Sequence, residues 1–304
     1  MDIFVAFQQM LMLVLVISVG FVLRRQAVLD EVGNVYLTRL LLQVTLPSTA
    51  ISGIFGSTRE MLTGELFFLF AMNILCFAVT IAISLLAPLL LKTERDERGT
   101  FAAMALFGNI AFIGIPLVDS LFGYEGVFYV ALHIILFNIL LFSVGVKLFG
   151  GAQAKLSLKF FFSPALVAAT SALILFSLNI QLPTVMNSAF RLIGSATPAI
   201  ALLLLGSILG GMPFREMFRG WRVYVISLVR LVVIPLAVYV AFLPFSLSPL
   251  FVKVMLVMAA TPMAVSTAAL TVQYGTYQEL GAKGVFISTL LSVVTMPILL
   301  SLLL

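Results

Sequence analysis

The sequence predicts an all-α integral membrane protein of ten transmembrane helices, a 5+5 inverted-topology repeat with broken helices in the fourth and ninth places. Three observations predict it. Hydrophobic residues make up 62% of the 304 residues, charged residues only 10%, and mean hydropathy is +1.22. Apolar windows long enough to cross about 30 Å of hydrocarbon recur at 4–23, 34–56, 65–91, 100–121, 126–147, 162–180, 188–210, 221–243, 250–273 and 282–303. Two of them, the fourth and the ninth, are interrupted by polar and helix-breaking residues where a bilayer offers backbone groups no water.

The first window has no basic n-region and no small-residue cleavage site, and is too long for a signal-peptide core, so it reads as a mature span. The second opens on Arg39-Leu40 and reaches Pro47. The third holds Cys76, the only cysteine, which excludes an intramolecular disulfide and a cysteine-based zinc or redox motif. The fourth carries Gly108-Asn109-Ile110-Ala111-Phe112-Ile113-Gly114-Ile115-Pro116-Leu117. The fifth has the only histidine, His133, and Asn138, while the sixth rests on hydropathy alone. The seventh reaches Pro198, the eighth carries Arg230 and Pro235, and the tenth contains Pro297. The ninth contains Thr261-Pro262-Met263-Ala264-Val265-Ser266-Thr267. Pro47, Pro88, Pro198, Pro235 and Pro297 read as ordinary kinks of membrane helices.

The formal charge of +5 is topological. Arg24, Arg25, Lys92, Arg95, Arg98, Lys147, Lys155, Lys159, Arg215, Arg219, Arg222 and Lys283 all follow odd-numbered windows, whereas Arg59, Arg191 and Lys253 fall on the other side. The positive-inside rule then puts the odd loops in the cytoplasm and both termini outside an inner membrane. With the chain used up by spans, no soluble catalytic, nucleotide-binding or DNA-binding domain fits, and no P-loop, His-Glu-x-x-His or Gly-x-Ser-x-Gly pattern is present. The expectation is a protein that is not an enzyme, needs no cofactor or metal, and does not bind nucleic acid.

An offset of 152 residues places Arg39-Leu40 on Arg191-Leu192 and Phe122-Gly123 on Tyr274-Gly275. Five spans per half is odd, so the second half enters the membrane inverted, and the site is expected where the repeats (1–152 and 153–304) meet. There, opened half-helices point partial positive charge from their N-termini at an anion such as a carboxylate. Asn109, with two donors and an acceptor, suits an oxyanion. Arg230, deep in the eighth span, has two roles open: holding a substrate carboxylate, or locking helix C-terminal carbonyls. Asp119, His133 and Asn138 are candidates for coupling, although a satisfied interior histidine is the commoner case. Glu65, Glu125 and Glu279 sit at span ends as interfacial acids.

The Asn-x-x-x-x-Gly-Ile-Pro-Leu pattern at 109–117 resembles the fourth-span crossover of the auxin efflux carrier family, and Pro262-x-Ala264 followed by Gln273-Tyr274-Gly275 is similar to its ninth. Gly20-Phe21, Arg24-Arg25, Val28-Leu29, Leu46-Pro47, Gly206, Arg230-Leu231 and Pro235 extend the resemblance along the chain. It implies the ten-helix fold of sodium/proton antiporters and bile-acid symporters, in which the broken helices 4 and 9 are crossed. Spans 1, 2, 6 and 7 would form a scaffold, and spans 3–5 and 8–10 an elevator-like transport domain in a homodimer. Thr267 stands where plant members carry a further proline, so the ninth helix is expected to open at Pro262 instead. The long cytoplasmic loop of the plant exporters is absent.

The implied function is secondary transport of small organic acid anions such as malonate, malate or auxin-like carboxylates, driven by protons or potential. Asn109, Gly114, Pro116, Pro262, Ser266, Thr267 and Arg230 are the substrate-site residues expected. Alternatives are a sodium-coupled symporter of the bile-acid type and, more distantly, a non-transporting membrane receptor.

Overall fold

A computed structural model describes residues 3–55, 66–150, 167–168, 170–171, 174–175, 180–213, 215, 218–274 and 276–303. Most of the sixth window, and Glu65, Lys155 and Lys159, lie outside these. The described elements are helices, in order α1 (Ile3–Arg25), α2 (Glu31–Leu40), α3 (Leu46–Phe55), α4 (Leu66–Leu90), α5 (Arg98–Leu106), α6 (Ile115–Leu140), α7 (Val146–Gly150), α8 (Thr184–Ser195), α9 (Thr197–Gly210), α10 (Trp221–Leu228), α11 (Ile234–Phe242), α12 (Pro249–Ala260), α13 (Val265–Gln273) and α14 (Gln278–Leu303). Among the described residues, five stretches are long and apolar enough to cross a membrane: Phe67–Leu90, Glu125–Phe149, Thr184–Gly210, Trp221–Phe242 and Glu279–Leu303. Gly123, at φ 62°, turns the chain within α6, a backbone conformation that side chains with a Cβ rarely adopt.

Local sequence accounts for the starts and irregularities of these helices. Asp30 caps α2 by accepting from the Gly33 N–H at 2.6 Å. Pro249 stands in the first turn of α12 behind the extended Ser248, where the missing N–H costs nothing, whereas Pro116, Pro198 and Pro235 open α6, α9 and α11 behind residues that are already helical. Of the four widened π-turns among the described residues, three, Leu41–Thr45, Ile110–Gly114 and Val229–Val233, each end two residues before a proline (Pro47, Pro116 and Pro235), whereas Leu141–Gly145 runs on into Val146 and Lys147. The cause is common to all three: the proline ring displaces the carbonyl four residues back, and the preceding turn accommodates it by adding a residue. Pro88 and Pro297, by contrast, sit inside continuous helices.

Small residues set the closest packing. Where α1 crosses α9, a Cβ on Gly20 or Gly206 would strike the facing backbone at Leu203 or Ile17. Between α3 and α8–α9, the Thr49 hydroxyl lies 2.8 Å from that of Thr197 and donates to the Gly194 carbonyl at 3.1 Å.

The loops after the first, third and seventh windows meet at one end of the described structure. Arg25 donates to the Met212 carbonyl at 3.0 Å, joining the first loop to the one after α9. Arg222 donates to the Lys92 carbonyl at 3.3 Å, joining α10 to the loop after α4.

Candidate functional site

The backbone leaves helical geometry at two places, and the two places meet. After α5, Phe107 turns extended (φ −95°, ψ 110°), and after α12 Thr261 does the same (φ −59°, ψ 142°). Gly108 and Met263 then pair as an antiparallel bridge. The Asn109 N–H donates to the Pro262 carbonyl at 2.6 Å and the Ala264 N–H to the Phe107 carbonyl at 2.9 Å. The Met263 N–H donates to the Ser288 hydroxyl of α14 at 3.0 Å. Each break thus satisfies the other's backbone, as unwound chain inside hydrocarbon requires.

Arg230 closes the upstream side of this crossing. Its Nε donates to the Thr261 carbonyl at 3.0 Å, and its Nη2 to the Met258 carbonyl and the Thr261 hydroxyl, both at 3.2 Å. Nη1 reaches the Ala105 and Leu106 carbonyls at 3.4 and 3.5 Å. These carbonyls are the C-terminal ends of α5 and α12, so one guanidinium, 2% exposed, bridges the negative ends of both half-helices. The π-turn Val229–Val233 brings it there.

Gly108 makes room for the bridge. A Cβ at this position would collide with the Arg230 guanidinium and the Thr261 hydroxyl.

Downstream, the chain re-enters helix at Ile110–Gly114 and at α13. Asn109 offers its carbonyl to the N–H groups of Ile113 and Gly114 at 3.2 and 3.1 Å, and Ala264 offers its carbonyl to that of Thr267 at 3.0 Å. The Ile110 N–H donates back to the Gly108 carbonyl at 2.8 Å, and the other first-turn N–H groups of both downstream helices have no carbonyl one turn earlier in their own helix. Two upstream negative ends are therefore neutralised by one full positive charge, and two downstream positive ends are not. The crossing is a net-positive centre in an apolar core.

Of the expected site residues, Asn109, Gly114, Pro262, Ser266, Thr267 and Arg230 come together at or within a turn of the crossing. Asn109 and Thr267 are buried, whereas Ser266 is half-buried on the first turn of α13. Gly114 packs on the end of α12, close enough that a Cβ would press on the Met258 methyl. Pro116 falls in the first turn of α6: the fourth window opens ahead of it at 107–109, because Arg230 holds the α5 carbonyls and the second break pairs with the chain there. The ninth window opens at 261–264, around Pro262.

The coupling candidates lie apart from one another. His133 is buried in α6, with Nδ1 2.9 Å from the Asn73 carboxamide oxygen and its ring stacked on Phe77 at 4.4 Å. Asn73 donates in turn to the Leu69 carbonyl at 3.0 Å. Asn138 is half-buried, and Asp119 is exposed.

Three residues that hold the crossing were not singled out from the sequence: Gly108, Thr261 and Ser288. The first two belong to the interrupted segments and were legible as such. Ser288 is one hydroxyl among several in an apolar helix and carries no local signal.

The membrane transport protein family matches this chain over residues 5–159 and 152–300. The uncharacterized transporter MJ1031 of Methanocaldococcus jannaschii is 23% identical over 301 residues, covering 95% of this chain and 96% of its own. With several apolar helices of membrane-crossing length, the chain is a multi-pass membrane protein, and it belongs to the membrane transport protein family, that of the auxin efflux carriers.

Proposed function

We propose that the chain is a secondary transporter of small organic acid anions, and that the anion sits at the first turns of the two downstream half-helices. The observation that carries this reading is the unequal neutralisation of the crossing: Arg230 is committed to the C-terminal ends of α5 and α12, and although the Ile110 N–H is taken by the Gly108 carbonyl, the N-terminal ends of the turn Ile110–Gly114 and of α13 keep their positive dipole ends to attract negative charge. A carboxylate is the organic anion best matched to two small clusters of N–H donors with Asn109 and Ser266 beside them. Thr267 and Gly114 shape the same turns.

Arg230 acts in this reading as the electrostatic keystone and not as a direct substrate ligand. His133, held by Asn73 and stacked on Phe77, fits an interior structural histidine better than a proton carrier.

The breaks, with Asn109 and Thr261 separated by the same 152 residues that relate the two halves, support an inverted repeat and a transport domain built around the crossing. Movement of that domain against the α1–α3 and α8–α9 elements would carry the anion across. A membrane potential of about 100 mV is worth about 2.3 kcal/mol per charge, which favours outward movement of an anion without a coupling ion.

Transport currents from the purified protein in liposomes test this function. Mono- and dicarboxylates are presented with sodium and pH gradients varied independently. Currents for a small carboxylate that survive sodium removal support the proposal. Currents that vanish without sodium place the chain with sodium-coupled symporters instead.

A further inference from the structure

We propose that a cavity at the basic end of the molecule, walled by Arg219, Trp221, Arg222 and Lys283, holds the phosphate headgroup of an anionic membrane phospholipid. The cavity, about 540 Å³, lies where the loop after α4, the start of α10 and the start of α14 converge. Its depth follows from its walls. Trp221 and Glu279 are the first residues of two stretches of membrane-crossing length, so the cavity lies at headgroup level, where tryptophan is favoured. The Trp221 side chain is 63% exposed, as expected of an indole facing lipid.

Charge selects the occupant. Three cations line the cavity against Glu97 and Glu279. Glu279 is paired with Lys283 at 3.5 Å. The Glu97 carboxyl is held above its ordinary range, first by burial and then by neighbouring Glu94, with Arg222 pulling the other way. Arg222 is fixed over the Trp221 ring at 5.8 Å and donates from Nη2 to the Lys92 carbonyl, while its buried Nε has no hydrogen-bond partner among the described residues. A planar guanidinium lining the cavity, with Arg219 and Lys283 beside it, suits a phosphate group. Anionic lipid supplies phosphate at this depth, and basic pockets at helix ends are where such headgroups bind. The site is remote in chemistry from the helix crossing, and its occupancy is read without any transported substrate.

The test uses the full chain in phosphatidylcholine nanodiscs with and without phosphatidylglycerol. Native mass spectrometry counts retained phosphatidylglycerol after dilution, and inorganic phosphate is added in a parallel arm. The wild type is expected to retain one phosphatidylglycerol. Arg222→Gln and Lys283→Gln, read separately so that a folding defect in one leaves the other, are each expected to lower retention about tenfold. Arg95→Gln, on the exposed loop nearby, is expected to change nothing. Equal retention in the cavity variants, or an equal loss with Arg95→Gln, overturns the site. Displacement of the lipid by millimolar phosphate overturns the lipid as its occupant.

Discussion

Replacing Arg230 by methionine separates its two roles, because a helix-end lock and a substrate ligand fail differently. The guanidinium serves the carbonyls of Ala105, Leu106, Met258 and Thr261. Met258 keeps another donor, the Thr261 hydroxyl at 2.7 Å, so three carbonyls lose their side-chain donor. Orphaned buried acceptors cost about 1–3 kcal/mol each. Against this, removing an arginine from bilayer depth recovers roughly 3 kcal/mol. The balance is a destabilisation centred near ~3 kcal/mol, which at roughly 2–4 °C per kcal/mol lowers the apparent Tm by about 6–12 °C. Arg230→Lys keeps the charge but offers three donors from one point, reaching one helix end and not both, and is expected to lose about half as much. Thermal unfolding in detergent reads both variants, with carboxylate transport measured on the same preparations. An unchanged Tm together with selective loss of carboxylate transport would refute the lock and make Arg230 a substrate ligand.

Gly108→Ala forces a methyl into the guanidinium and is expected to destabilise as much as Arg230→Met, read as a matching fall in Tm; a tolerated alanine contradicts the close approach. Ser288→Ala leaves the Met263 N–H without its acceptor and is expected to cost about 1–2 kcal/mol, measured as a lower Tm that Ser288→Thr partly restores. Glu97→Gln tests the strained carboxyl at the basic end. Because burial raises the folded pKa above the ordinary 4.5, the penalty for the charged form is present at neutral pH and disappears below about 4.5. The variant is therefore expected to be more thermostable than wild type at pH 7 and equal to it at pH 4, and a gain that persists at pH 4 rules out the charge as its cause.

The membrane class and most helix positions were legible because hydropathy over a window is a local property that burial in lipid enforces directly. The two interrupted windows were legible for a similar reason: Asn109 and the Thr261-Pro262 pair are costly in hydrocarbon unless something answers them. What answers them was not legible. The pairing of Gly108 with Met263 and the reach of Arg230 to the end of α5 depend on contacts between segments more than a hundred residues apart. Pro116 alone does not say where the fourth helix opens. A proline tells where a turn must loosen, and here that turn is the π-turn Ile110–Gly114, whereas the break itself is placed by partners on other helices. Pro47 and Pro235 likewise produce widened turns, and the second of these aims Arg230.

The anion site is tested most directly by the concentration dependence of carboxylate currents in wild type and Asn109→Ala, with the Tm of each measured in the same membrane. A side-chain hydrogen bond to a charged group is worth about 1.5–3 kcal/mol, so the expected result is a half-saturating concentration raised at least tenfold with Tm little changed. Identical half-saturation in the two proteins would remove Asn109 from the site and contradict a carboxylate held at the helix crossing.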